Sequence, residues 1–221
     1  LISAAVIDDN GCLVGRITID DVVDVIIEDA EEALLAPAGL VVDEDTFAPV
    51  RRAVRRRALW LGINLVTALM AAAVISLFEE TIIQVVALAV LMPVVASMGG
   101  IAGTQTLTLV MRGQATGQLG RSNLLWMLNR EFVIAILNGL LWATLVACGA
   151  SYVFDDTKLG MIIAVAMITT ILIAAVAGSL LPSILRRLNI DPAIAGGVVL
   201  TTITDVAGFF IFLGLASWVY L

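Results

Sequence analysis

Five long apolar runs fill the second part of the chain, and they constrain the fold more than any other feature of the sequence. They cover residues 58–78, 82–111, 124–154, 159–185 and 193–221. Each run exceeds the roughly 20 residues that an α-helix needs to cross a hydrocarbon core. Because lipid offers no partners to backbone polar groups, helices are the expected form of such runs. We therefore predict an all-α membrane protein with five transmembrane helices per subunit.

The second apolar run contains residues that disturb a helix. Pro93, Gly99, Gly100 and Gly103 interrupt it, which predicts a helix that is tilted, kinked or locally unwound. Two interpretations of the glycines stay open. Small residues let membrane helices approach closely, whereas a disturbed backbone is tolerated at membrane depth where it lines a cavity. We favour a cavity-lining role, because the glycines cluster with Pro93 and Gln105.

A polar and acidic region precedes the membrane part of the chain. Residues 1–57 hold 12 of the 19 acidic residues but only 6 of the 12 basic ones. Within this region, residues 4–7 and 13–18 flank the dipeptide Asn10-Gly11, a pattern that predicts a β-hairpin. A hairpin and one helix cannot bury a sizeable core. We therefore expect the first residue to lie inside a larger domain.

A helix is predicted to follow the hairpin, beginning at Val22 with Asp20 or Asp21 as its N-cap. The next residues divide into an acidic continuation of that helix, a linker and a basic helix that leads into the membrane, at residues 28–35, 37–45 and 47–57. The basic helix is interpreted as a connector.

Basic residues fall almost entirely on one side of the predicted membrane. Ten of them flank the apolar runs on the side of the amino-terminal region: Arg51, Arg52, Arg55, Arg56, Arg57, Arg112, Arg121, Arg130, Arg186 and Arg187. Lys158 lies on the other side. The excess of positive charge predicts a multi-pass membrane protein with a cytoplasmic N-terminus and a C-terminus outside. We expect this protein in the plasma (inner) membrane.

Asp205 lies in the fifth apolar run, after Thr201, Thr202 and Thr204. An ionised carboxylate within a bilayer is costly, so it is retained where it faces water, a partner or a cation. We interpret Asp205 as an ion-binding residue on a transport path. The alternative is a carboxylate that is hydrogen-bonded to the neighbouring threonines for packing.

The residue types limit the chemistry. The chain has no histidine, which removes the commonest ligand for zinc, copper or nickel and the commonest general base. A metal handled by this chain is expected to be a hard cation bound by oxygen. Cys12 and Cys148 are expected to be structural, and Glu131, near a membrane edge, is expected to pair with Arg130. We expect no enzyme activity. A coupled carrier that uses Asp205 is the alternative to a channel, although carriers usually have more spans.

Several segments resemble a known family. MPVVASMGGIAGTQ at residues 92–105, the following Arg112-Gly113, DPA at 191–193 and TTITD at 201–205 are similar to the MgtE magnesium transporter family. Residues 5–25 resemble the end of a CBS domain. The resemblance implies a CBS remnant with α/β structure at 1–27, an acidic linker and connecting (plug) helix at 28–57, and a five-span pore domain at 58–221.

The resemblance also implies a function and partners. It implies a homodimeric, magnesium-selective channel or transporter whose pore lies at the subunit interface and is lined by the second and fifth spans. Mg²⁺ would be both the transported ion and a regulator, other divalent cations are possible substrates, and no nucleic-acid partner is expected. High cytoplasmic Mg²⁺ is expected to close the pore through acidic residues of the CBS region and connecting helix.

Site residues are carried over by matching positions. The resemblance implies that Asp205 binds the ion in the pore and that the pore is lined by Gly99, Gly100, Gly103, Gly197 and Thr201. It implies that regulatory Mg²⁺ is bound by Asp21, Asp24, Asp29, Glu32 and Asp191. Without the resemblance, the acidic cluster of residues 20–32 is most simply a solvated helix face. Four positions depart from the family pattern: Ile101 stands where asparagine is usual, Ala33 where aspartate is common, and Gly196 and Val198 where serine and proline are frequent.

Overall fold

The computed structural model describes residues 3–35, 49–120 and 123–221, and the side chains of residues 29, 32–34, 52 and 56 also lie outside this description. The chain divides into two compact units, Leu1–Ala58 and Leu59–Leu221. The predicted linker of residues 37–45 falls outside the described residues. The assignment of the first unit to a CBS domain and a connecting helix stays a prediction.

The first unit begins with an antiparallel hairpin of strands β1 (Ser3–Ile7) and β2 (Leu13–Thr18). Asp8 organises the turn, because its Oδ1 accepts the backbone N–H groups of Asn10 at 3.0 Å and Cys12 at 2.7 Å. These hydrogen bonds, that from Cys12 first, lower the pKa of the Asp8 carboxyl. Gly11 supplies a φ of 81°, which glycine adopts without strain. The predicted hairpin is confirmed.

Helix α1 (Ile19–Leu35) follows β2 directly and begins three residues before the predicted start at Val22. Thr18 donates both its backbone N–H and its hydroxyl to Asp21 Oδ2, each at 2.7 Å. Asp21 therefore reaches back from the first turn to the end of the strand, as the third residue of a capping box does. The prediction that Asp20 or Asp21 precedes the helix as its N-cap is wrong, whereas the acidic continuation to Leu35 is confirmed.

Five long helices make up the remaining chain, with one short helix between the first two. Their bounds are α2 (Val50–Ser76), the short α3 (Glu79–Gln84), α4 (Ala87–Ala115), α5 (Leu124–Phe154), α6 (Thr157–Arg187) and α7 (Pro192–Tyr220). All except α3 are long and apolar enough to cross a membrane. The prediction of a multi-pass protein with five spans is confirmed, and the third span has the predicted bounds.

The second predicted span is divided differently from the expectation. The helix breaks at residues 85–86, between α3 and α4, and then continues from Ala87 to Ala115 through Pro93 and the three glycines. Of the three expected disturbances, local unwinding at Pro93 and the glycines is wrong, because α4 stays helical throughout; a tilt or a kink stays a prediction. Pro93 lies in the second turn of α4 and costs one backbone hydrogen bond. All three glycines keep helical geometry, and Gly99 and Gly103 provide space for neighbouring helices.

Helix α6 forms the centre of the second unit. In the most apolar window of α6, 56% of the residues are buried, against 6% for α2. Helices α4, α5 and α7 each pack on α6, and α4 also packs along α7. The main apolar core holds Leu88, Val95, Ile163, Met167 and Phe212. The arrangement leaves one side of α4 and α7 without a helical neighbour from the described part of the chain.

Capping residues set where α6 and α7 begin. Asp156 is the N-cap of α6 and accepts the backbone N–H groups of Lys158 and Leu159. Asp191 is the N-cap of α7, where its side chain accepts the N–H of Ala193 at 2.8 Å and Pro192 occupies the first turn. Carboxylates at these positions satisfy amide groups that have no partner within the helix.

Candidate functional site

One face of α7 carries polar groups inside an otherwise apolar helix. Gly197 and Thr201 are exposed and Asp205 is half-buried. Their spacing of four residues places them on one side of the helix, one turn apart. We call these three residues the polar face of α7. Leu200 and Thr204, the residues directly before Thr201 and Asp205, are fully buried against the bundle.

Asp205 has no hydrogen-bond or ion-pair partner among the described residues. The three neighbouring threonines donate instead to carbonyl groups of their own helix: Thr201 to Gly197 at 2.9 Å, Thr202 to Val198 at 2.7 Å and Thr204 to Thr201 at 3.0 Å. The packing alternative required a carboxylate bonded to these hydroxyls. The geometry instead leaves the oxygens of Asp205 available to water, a cation or another chain.

A second polar face runs along α4. Ser97, Thr104 and Thr108 are exposed, and Gly100 is partly exposed on the same side. We call these four residues the polar face of α4. Thr104 donates its hydroxyl to the Gly100 carbonyl at 2.8 Å, so its oxygen retains lone pairs that point away from the helix.

The two faces meet in an open cavity of about 560 Å³, the polar-face cavity. Gly100, Thr104 and Thr108 line it from α4, with Arg112 near the helix end, and Thr201 lines it from α7. Asp205 lies one turn further along α7. A Cβ added at Gly99 would lie 3.4 Å from the Cβ of Thr204, so α4 and α7 touch at the level of Asp205. Oxygen groups of both helices therefore line a cavity whose α7 residue, Thr201, lies one helical turn from this carboxylate.

The glycines of α4 differ in their surroundings. A Cβ at Gly99 would lie 2.6 Å from Thr170 Cγ2, and a Cβ at Gly103 would lie 3.0 Å from Leu200 Cδ2, so both allow close helix packing within the subunit. At Gly100 and Gly197 a Cβ would meet nothing within 4 Å. Gly100 and Gly197 therefore lie on the open side. A pore-lining role for all four glycines stays a prediction.

The expected pairing of Glu131 with Arg130 is confirmed, at 2.9 Å between Nη1 and Oε1. Sequence reasoning missed the rest of this site. Glu131 is only 6% exposed, and its Oε2 accepts the hydroxyl of Thr106 on α4 at 3.0 Å. The position of Glu131, the eighth residue of α5, could have indicated a buried carboxylate. Nothing in the sequence identified Thr106 as its partner.

The Glu131 carboxylate lines a cavity of about 520 Å³ between α4, α5 and α6, which we call the side cavity. Its polar lining is Gln105, Thr106, Arg130, Glu131 and Asn138, set among apolar side chains that include Trp142. Ile101, Gln105 and Leu109 line both the side cavity and the polar-face cavity. One ridge of α4 therefore separates the two cavities, and Ile101 is part of it.

The predicted regulatory residues are not brought together by the described part of one chain. Asp21 is engaged by Thr18, and these hydrogen bonds, that of the backbone first, lower the pKa of its carboxyl. Asp24 is exposed on α1 and Asp191 caps α7. The side chains of Asp29 and Glu32 lie outside the described residues. Among the described residues, no group of three or more histidine, cysteine, aspartate or glutamate side chains could hold a metal ion.

Comparison with known proteins gives consistent matches. The family model MgtE, described as a divalent cation transporter, matches residues 92–215. A magnesium transporter MgtE of Bacillus subtilis is 36% identical over 214 residues, which are 96% of this chain and 47% of that protein. The corresponding proteins of Thermus thermophilus and Enterococcus faecalis are 31% and 30% identical, over 96% and 98% of this chain and 47% and 48% of their own length. The chain thus spans about half the length of the curated relatives it matches.

Proposed function

The chain belongs to the MgtE family of divalent cation transporters, and from this premise we propose that its second unit forms a path for Mg²⁺ across the membrane, with Asp205 as the ion-binding residue. One observation carries the proposal. Asp205 lies within a membrane-spanning helix and has no hydrogen-bond or ion-pair partner among the described residues, although three threonines are near it. A carboxylate retained in this state at membrane depth needs water or a cation.

The chemistry of the two polar faces suits a hydrated divalent cation. Mg²⁺ prefers octahedral oxygen coordination and loses its water reluctantly. Asp205 supplies negative charge, and the hydroxyls of Thr104, Thr108 and Thr201 supply oxygen groups that can bond to the water shell of the ion. Influx requires no ATP, because an inside-negative potential of 100 mV contributes about 2.3 kcal/mol per charge and Mg²⁺ carries two charges.

The path is proposed to lie between two copies of the chain. The polar faces of α4 and α7 lie on the outer side of the bundle, where lipid would leave Asp205 without a partner. A second copy related by a two-fold axis would place a second Asp205 across the same space, and two carboxylates would offset one divalent charge. In this arrangement Gly100, Gly197 and Thr201 line the path directly, and Gly99 and Gly103 hold the lining helices close to the bundle.

The orientation belongs to the same proposal. The amino-terminal region is proposed to be cytoplasmic and the C-terminus to face outside, since ten arginines lie on the former side. A proton-coupled or ion-coupled carrier that uses Asp205 is the alternative mechanism. Such carriers usually have several polar groups at the membrane midplane, whereas the other buried carboxylate in a span, Glu131, is already paired with Arg130 and Thr106.

Closure by cytoplasmic Mg²⁺ is the regulatory part of the proposal and rests on the family resemblance. The described side chains of the soluble unit do not by themselves form a site that fits the ion. A regulatory site would therefore need Asp29, Glu32 or a second chain in addition to Asp21 and Asp24. Replacing Asp21, Asp24, Asp29 and Glu32 with alanine in a full-length protein is expected to leave transport insensitive to cytoplasmic Mg²⁺. Unchanged inhibition would contradict this regulatory part alone.

Mg²⁺ uptake into proteoliposomes tests the transport proposal. The chain is reconstituted under an inside-negative potential and compared with Asp205→Asn, which keeps the size of the side chain and removes its charge, and with Asp205→Glu. We expect Asp205→Asn to abolish uptake and Asp205→Glu to retain part of it. Equal uptake by the wild-type chain and Asp205→Asn would mean that the ion does not depend on this carboxylate.

A further inference from the structure

Glu131 is the most deeply buried charged side chain in the described part of the chain, and the transport path as proposed does not use it. We propose that Glu131 is a positioning residue: it fixes α4 through Thr106 and thereby sets where the polar face of α4 stands relative to Asp205. This inference rests on the proposed function, and it concerns the alignment of the path and not the binding of the ion.

Both oxygens of Glu131 have defined partners. Oε1 accepts a hydrogen bond from Arg130 Nη1 at 2.9 Å, and Oε2 accepts one from Thr106 Oγ1 at 3.0 Å. Arg130 belongs to the same helix as Glu131, so it balances the charge without joining two helices. Thr106 belongs to α4 and is itself only 5% exposed. Because the acceptor is charged, this hydrogen bond is stronger than one between neutral groups. It joins α5 to a single turn of α4.

Little else connects α4 with α5. Both helices pack on α6 but hardly on each other, and Thr106–Glu131 is the only side-chain hydrogen bond between them in the described part of the chain. The side cavity of about 520 Å³ occupies the space that remains between them. Without this bond, α4 has room to move toward α5, because dense packing is what normally prevents such shifts.

A movement of this turn would reach the proposed path. Thr106 lies between Thr104 and Thr108 in sequence but on the opposite, buried side of α4. Gln105 lines both the side cavity and the polar-face cavity. A rotation of α4 that closes one cavity therefore alters the other. The hydrogen bond to Glu131 holds the side of the turn that faces α5, and the hydroxyls of the polar face project from the other side.

The test uses variants that differ by one hydroxyl or one methyl. Thr106→Val keeps the branched shape and removes the donor, whereas Thr106→Ser keeps the donor. Thr144→Val is the matched control, since Thr144 lies on α5, is exposed and donates only to the Leu140 carbonyl of its own helix. Glu131→Ala removes the acceptor but also leaves Arg130 unpaired, so Thr106→Val is the decisive variant if Glu131→Ala fails to fold.

The transport measurement is Mg²⁺ uptake with its half-saturating concentration and the ratio of Mg²⁺ to Ca²⁺ uptake. For Thr106→Val we expect uptake per folded protein to fall by about tenfold, with a changed ion ratio. Tenfold is the factor that corresponds to the lower end of the stability that a hydrogen bond to a charged group contributes. Thr106→Ser and Thr144→Val are expected to match the wild type. If Thr106 only stabilised the bundle, Thr106→Val would lower the yield or the melting temperature but leave the ion ratio of the folded fraction unchanged. That result would overturn the inference.

A distance measurement judges the inference independently of transport. Spin labels are attached to cysteines at Ala115 on α4 and Leu125 on α5, two exposed positions near the helix ends, with Cys12 and Cys148 replaced by serine. We expect Thr106→Val to shift or broaden the distance distribution and Thr106→Ser to leave it unchanged. An unaltered distribution in Thr106→Val would overturn the positioning role. Absence of uptake by the wild-type chain would instead contradict the proposed function, and the label distances would still decide the role of Glu131.

Discussion

Gly178→Ala is expected to destabilise the bundle, because α6 approaches α4 at this glycine with no room for a methyl group. A Cβ at residue 178 would lie 2.7 Å from the Gly103 carbonyl oxygen, 3.1 Å from the Leu107 backbone nitrogen and 3.1 Å from the Thr106 Cβ. Two of these three are backbone atoms, so no rotation of a side chain can relieve the contact. Helix α6 must therefore move away from the turn of α4 that carries Thr106.

The magnitude follows from two opposing effects. Overpacking a close contact costs about 1–3 kcal/mol, whereas alanine is favoured over glycine in a helix by about 1 kcal/mol. Gly100→Ala on α4 is the matched control, since a Cβ at that position would meet nothing within 4 Å. The control gains helix propensity without the contact. We therefore expect Gly178→Ala to be less stable than Gly100→Ala by about 1–3 kcal/mol.

Thermal unfolding of the purified protein in detergent measures this difference. The chain has 4 tryptophans, whose fluorescence can follow the transition. In a protein of this size 1 kcal/mol corresponds to about 2–4 °C, so Gly178→Ala should melt several degrees below Gly100→Ala. A melting temperature of Gly178→Ala equal to or above that of Gly100→Ala would show that α6 and α4 are not in the close contact described above. The assay measures stability only, because Gly100 is proposed to line the ion path.

Three further predictions concern the N-cap of α7, the hydrogen bond between Tyr220 and Asp156, and the orientation of the chain in the membrane. Asp191→Ala should cost about 1 kcal/mol by removing the α7 N-cap, whereas Asp191→Asn should keep that stability in the same unfolding assay; a destabilised asparagine variant would contradict a capping role. Tyr220→Phe should cost about 1 kcal/mol by removing the hydrogen bond to Asp156. That bond is the main cause that lowers the pKa of the Asp156 carboxyl, so its stabilisation is present above the ordinary carboxyl pKa and is lost as the pH falls through the lowered value. Melting temperatures measured down to about pH 2 should therefore fall less steeply in Tyr220→Phe than in the wild type, and parallel curves would contradict the assignment. In a chain with Cys148 replaced by serine, a membrane-impermeant maleimide applied to intact cells should label Lys158→Cys but not the exposed Cys12, and the reverse pattern would invert the proposed orientation.

Much of the membrane fold could be predicted because lipid imposes a simple length rule. The bounds of α5 agree with the prediction, since charged or turn-forming residues border that apolar run. The break at residues 85–86 could not be predicted, because two valines in an apolar run give no turn signal. The early start of α1 was also missed. It depends on the hydrogen bonds between Thr18 and Asp21, which become apparent only when the strand and helix are placed together.

The sequence indicates some residues of the candidate site but not others, because the lipid environment makes a charge conspicuous and does not reveal helix contacts. Asp205 is conspicuous from sequence because a charge in lipid is costly wherever it points. The roles of the glycines are not evident from sequence, because glycines occur on more than one side of α4 and the sequence does not indicate which of them contacts a neighbouring helix. Gly99 packs against Thr170 whereas Gly100 meets open space, and only the positions of α6 and α7 distinguish them. The partner of Glu131 likewise depends on a contact between residues that are distant in the sequence.

The reactivity of cysteines along α7 tests most directly whether the polar face borders the ion path. In a chain with Cys12 and Cys148 replaced by serine, Thr201→Cys and Leu200→Cys are treated with a hydrophilic thiol reagent during Mg²⁺ uptake. The exposed position 201 should react, its reaction should block uptake, and Mg²⁺ should slow it, whereas the fully buried position 200 should stay unreactive. Thr201→Cys that resists the reagent, or whose modification leaves uptake unchanged, would contradict a path along this face of α7.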